Sequence, residues 1–104
     1  MNGRKVFDMI ISTTPNIEGK TIKEYKGVVF GEAVKMATGG FTSTLSDLFE
    51  KVIIDARANA INKMVDKANS LGGNALVGIT VDIKTIGDSR YVIAHASGTV
   101  VVME

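Results

Sequence analysis

The chain has 104 residues, 45% of them apolar and 22% charged, and twelve basic against eleven acidic side chains leave a formal net charge of +1. That length makes one domain, residues 1–104, with a core of modest size. The balance of charge excludes the electrostatic footprint of a nucleic-acid or anionic-membrane binder, and the lack of cysteine excludes disulfides, thiolate nucleophiles and thiolate metal centres.

At the N-terminus Arg4 and Lys5 precede apolar residues as they would in a secretory leader. Asp8 breaks that run and leaves only Met9 to Ile11 intact, so a cytoplasmic protein is expected. No stretch is long enough to span a bilayer. Phe7 to Ser12 reads as a first extended piece. Pro15, Asn16 and Gly19 in "TTPNIEG" mark a turn. A second extended piece runs from about Ile22 to Gly31, where Gly27 and Gly31 suggest bulges or close backbone approach. Gly39-Gly40 breaks the chain, and Thr44 with Asp47 forms a capping-box-like helix start. From Leu45 to Leu71 the period is helical: Leu45, Leu48, Phe49, Val52, Ala56, Ala60, Met64, Ala68 and Leu71 fall at helical spacing. Gly72-Gly73 ends the helix, because glycine accepts the left-handed conformation that follows a helix C-terminus.

Two strands follow. In "NALVGITVDIK" the residues Ala75, Val77, Ile79, Val81 and Ile83 share one face by simple alternation. Gly87, Asp88 and Ser89 carry the turn. The last strand, Tyr91 to Met103, has a face of Val92, Ala94, Ala96, Gly98, Val100 and Val102 that a helix can approach closely. A helix of this length is about 40 Å long, which suits an elongated two-layer α+β plate with one helix on a small antiparallel sheet. One helix covers one face only. The other would carry Tyr91, Ile93, Val101 and Met103, and such an apolar face marks an interface. N-terminal strands are expected to cover part of it and other subunits the rest.

"STTPNIEGKTIKEYKGVVFGEAV", a long helix, "LGGNALVGITVD" and "ASGTVVV" occur in that order over nearly the whole chain. The sequence thereby resembles the YbjQ-like proteins, small bacterial proteins labelled as heavy-metal binders. The resemblance implies a dodecin-like subunit with extra N-terminal strands, assembled as a homopentamer. Family members often carry Gly-Gly-Arg at the helix start with a tyrosine nearby. Here Phe41 follows Gly39-Gly40, and no tyrosine lies near.

The sole histidine, His95, is the candidate metal ligand or general base. Its bland alternative is a half-buried strand histidine bonded to a neighbour. One histidine without cysteine needs carboxylates, water or symmetry-related copies to complete a metal site. Soft metals call for sulfur ligands, and methionines such as Met64 read as core filler. Ser97 shares a strand face with His95, but no nucleophile elbow accompanies it. The amides of Gly39-Gly40 precede a helix and offer an anion-binding or interface loop. No cofactor is indicated. The leading expectation is a non-enzymatic, ring-forming binding or scaffold protein whose partner is itself, with no nucleic acid or membrane involved. The alternatives are a small enzyme using His95 with Glu24 or Glu32 of a neighbouring subunit, and a metal-binding protein with His95 as ligand.

Overall fold

A computed structural model describes residues 9–36, 45–87 and 91–104. The elements are β1 (Ile10–Ile11), β2 (Ile22–Met36), α1 (Leu45–Ser70), β3 (Ala75–Ile86) and β4 (Tyr91–Met103). The four strands form one sheet in the order β1-β3-β4-β2, with α1 packed across one face. The molecule measures 51 × 31 × 22 Å, the elongated plate expected from the element lengths.

The sheet is mixed rather than antiparallel. β2 and β3 both run antiparallel to β4, but β1 lies parallel to β3. The cause is the connection from β1 to β2. It carries the chain from one edge of the sheet to the other, with Ile17 packed beneath it, so β1 and β2 point the same way.

α1 begins and ends within a residue of the expected span. Val52, Ala56, Ala60, Met64 and Ala68 form its buried stripe. Its end is a glycine cap: Gly72 takes φ +82°, and the Gly73 N–H donates to the Ala68 carbonyl at 3.1 Å. The stripe is mostly alanine, so the helix lies close. Over β2 the contact is so tight that a Cβ on Gly31 would run into the Ala60 carbonyl. Gly31 is therefore the point of close approach. It does not end the strand, which continues to Met36 with Ala33 buried and Glu32, Val34 and Met36 exposed. Gly27, at φ +132°, sits at a register shift and makes the expected bulge.

β3 departs from simple alternation. Gly78 takes φ +62°, and the pairing with β4 slips between Val77 and Thr80. A bulge of this kind moves the following side chains to the other face. Leu76, Ile79, Val81 and Ile83 thus lie on the helix side, and Ala75 and Val77 on the far side. Two apolar clusters result. The larger joins α1 to Val29, Ala33, Leu76, Val92, Ala94, Ala96 and Val100. The smaller joins Ala75, Val77, Val101 and Met103 on the far side, under Ile10, Ile17 and Ile22. Burying a side chain the size of Met64 or Leu76 contributes roughly 1.5–3 kcal/mol. Asn74 ties the lower end together: its amide donates to the Met103 carbonyl and its oxygen accepts from the Met103 N–H, each at 2.8 Å.

Candidate functional site

Among the described residues, the N-terminal segment from Met9 onward covers only the lower end of the far face. Above it, register aligns rows of three residues across β3, β4 and β2: Thr80–Ser97–Phe30, Asp82–His95–Glu32, Lys84–Ile93–Val34 and Ile86–Tyr91–Met36. Side chains in one row share a face. Phe30, Val34, Met36 and Ile86 are each about half exposed or more, at 49%, 61%, 49% and 52%. With Val28 and Tyr25 lower on β2, this makes an apolar patch on the order of 500 Å², at the upper end of what monomeric proteins expose.

The polar groups of the patch sit in its middle. His95 Nδ1 lies 3.1 Å from Glu32 Oε2, and the Phe30 ring stacks beside the imidazole with centroids 6.0 Å apart and planes at 27°. Because Glu32 and His95 are cross-strand partners, the sheet itself sets the pair, and no helix or loop has to move. The Ser97 hydroxyl lies 2.9 Å from that of Thr80, its row neighbour, and is thereby engaged away from the imidazole. Glu24 pairs with Lys26 at 3.2 Å on the lower part of β2. Asp82 stands beside His95 in register on the β3 side. His95 and Ser97 are thus placed on one surface, and Glu32 comes from the same chain rather than from a neighbour. Gly39 and Gly40 lie outside the described residues, as do Thr44, Phe41 and the Asp88-Ser89 part of the turn. Sequence reasoning missed the Asp82–His95–Glu32 row. Its signal was the register of three strands, which the bulge at Gly78 hides from period counting.

Chemically, a carboxylate held against an imidazole can orient that ring and share a proton with it. Two donors are too few for a tetrahedral metal centre. Among the described residues no three His, Cys, Asp or Glu side chains group to hold an ion. Of the thioethers, Met64 is fully buried in the core and Met103 nearly so.

A family model described as "Putative heavy-metal-binding", YbjQ, matches residues 9–104. The chain belongs to the YbjQ family. Among YbjQ relatives, it is 42% identical to a UPF0145 protein of Clostridium botulinum (strain Eklund 17B), over 92% of this chain and 100% of that one. It is 40% identical to a UPF0145 protein of Listeria welshimeri, over 92% and 96%. A crystal structure of a DUF74-family protein of unknown function from Pediococcus pentosaceus superposes with a TM-score of 0.70 at 23% identity, covering 92% of this chain and 98% of that one. That likeness supports the fold: one helix on a four-stranded mixed sheet. Among the described residues the donor set of one subunit does not make a soft-metal centre: the chain has no thiolate, and no three His, Cys, Asp or Glu side chains converge. Among the described residues no helix is long and apolar enough to cross a membrane.

Proposed function

We propose that this YbjQ protein works as a self-assembling scaffold whose copies cover one another's far sheet face. The supporting observation is the exposed apolar patch around Phe30, Val34, Met36 and Ile86, which the described N-terminal residues do not reach. With the exposed polar groups of the same rows the face is a candidate for the roughly 800 Å² per partner that a stable interface needs. It carries both signs, Glu32 and Asp82 against Lys84, so a second copy complements it in charge. A closed homopentameric ring of dodecin-like subunits, as the family resemblance implies, is the form of assembly in this reading. The Glu32–His95 pair then lies inside the contact, where a small ligand would be held between subunits.

Native mass spectrometry of the purified chain tests this. The expected result is a single closed oligomer, reduced to monomer by Phe30→Glu or Val34→Glu with the circular dichroism spectrum retained. A wild-type chain that stays monomeric at micromolar concentration overturns it. No observation favours catalysis: the Glu32–His95 pair has a base and its orienting partner, but Ser97, the nearby hydroxyl, is bonded to Thr80.

A further inference from the structure

The two outer edges of the sheet differ. On β2 the outward carbonyls of Phe30 and Glu32 already accept hydrogen bonds from helix lysines, Lys67 Nζ and Lys63 Nζ, each at 2.7 Å. Lysines placed over an edge strand block the addition of another strand. On β3 the edge is shared. β1 and the loop after it pair with Leu76, Gly78 and Ile79, and beyond that point no described residue pairs with β3 on this side. The Ile79 N–H points to this edge, where it donates to the Ser12 carbonyl. By the alternation of a strand, Val81, Ile83 and Thr85 direct their N–H and C=O groups the same way. Val81 and Ile83 are only half-buried against the core.

We propose that this segment of β3 is a self-association edge, where a second copy adds its own β3 antiparallel about a two-fold axis at Ile83. Three features of the sequence fit that register. Ile83 meets its own copy as a hydrogen-bonded pair, and Val81 meets Thr85 of the copy in the same way, so each outward group on these residues gains a partner. On the far face Asp82 falls opposite Lys84 of the copy, and Lys84 opposite Asp82, giving two cross-strand pairs of opposite charge. On the helix side the half-exposed Ile83 and Val81 cover one another. Parallel addition of β3 in register would instead set Asp82 beside Asp82 and Lys84 beside Lys84. The contact runs along the β3 edge through backbone groups of Val81, Ile83 and Thr85, with Asp82 and Lys84 bordering both it and the far face, and its two-fold symmetry doubles whatever assembly that face makes.

The chain lacks cysteine, so single cysteines report the contact directly. A hydrogen-bonded antiparallel pair sets its Cα atoms about 5.5 Å apart, within disulfide range. Under mild oxidation Ile83→Cys is expected to form covalent dimers roughly tenfold or more faster than Asp66→Cys on the outer helix face, since association raises the local thiol concentration. In sedimentation velocity of otherwise unaltered protein, Asp82→Lys lowers the even-numbered species and the double change Asp82→Lys with Lys84→Asp restores them. This charge series decides the matter if Ile83→Cys folds poorly. Equal cross-linking of the two cysteine variants, or association indifferent to Asp82→Lys, overturns the proposal. Loss of the larger oligomer with the Asp82-sensitive pair retained counts against the far-face reading alone.

Discussion

Gly31→Ala tests the close seating of α1 on β2. An added Cβ would lie inside the contact shell of the Ala60 carbonyl oxygen, 3.0 Å from the Ala60 carbonyl carbon and 3.1 Å from Met64 Cγ. The first two obstacles are helix backbone, so a rotamer change cannot relieve them, and α1 must back away from the sheet by about 1 Å. Overpacking of this kind costs about 1–3 kcal/mol. The shift also loosens the hydrogen bonds from Lys63 and Lys67 to the carbonyls on either side of Gly31, each worth about 1 kcal/mol net. A loss of about 2–4 kcal/mol follows, against a total stability of roughly 5–15 kcal/mol for a domain. Equilibrium urea unfolding followed by helix circular dichroism reads it as a lower midpoint at unchanged slope. The sign is diagnostic, because glycine to alanine in an uncrowded strand stabilises by about 0.4–1 kcal/mol. Ala60→Gly is not expected to rescue, since the obstacle is the carbonyl rather than the side chain. A Gly31→Ala midpoint equal to or above that of wild type would refute the close seating.

Three further outcomes are expected. Gly78→Ala meets nothing within 4 Å, so its cost is purely the φ of +62°, about 1–2 kcal/mol, read as a reduced thermal midpoint. Asn74→Ala removes both 2.8 Å bonds to Met103 and costs about 1–3 kcal/mol; amide exchange at Met103 should rise more than at Val92, and uniform exchange would contradict it. Replacing both Lys63 and Lys67 by methionine opens the β2 edge, and thioflavin-positive or polydisperse material should then appear; a variant as monodisperse as wild type would show that these lysines do not guard the edge.

The helix and the last strand were legible because their periods run unbroken. From Val52 to Ala68 the helix stripe, and the glycine cap after it, fall where the spacing puts them, while Leu71 lies past the helix and is 44% exposed; the alanine face of β4 lies under the helix. What period counting could not supply came from irregularities. Gly31 looks like punctuation in a sequence, but only the packed helix shows that the missing Cβ makes room for Ala60. The direction of β1 depends on where the loop through Ile17 crosses the sheet, which no local residue encodes. His95 stood out as the only histidine, yet its partner Glu32 lies 63 residues away, and only the β2–β4 register joins them.

Gly78 links these irregularities to the surface the protein presents. Without the bulge, Ala75, Val77, Ile79, Val81 and Ile83 would all face one way, and the sheet would offer one continuous apolar side for α1 to cover. The slip between Val77 and Thr80 turns Ala75 and Val77 to the far face, where they join Val101 and Met103 under the N-terminal segment. It keeps Ile79, Val81 and Ile83 under or beside the helix. Thr80, Asp82 and Lys84 then emerge on the far face beside Ser97, His95 and Ile93. The same slip therefore covers Ala75 and Val77 within the subunit and sets the polar Thr80, Asp82 and Lys84 of β3 across the upper far face from the apolar Phe30, Val34 and Met36 of β2. A face split in this way is asymmetric across the strands, so a second copy docking on it, as proposed above, would meet it in a favoured orientation rather than slide freely over a uniform apolar sheet.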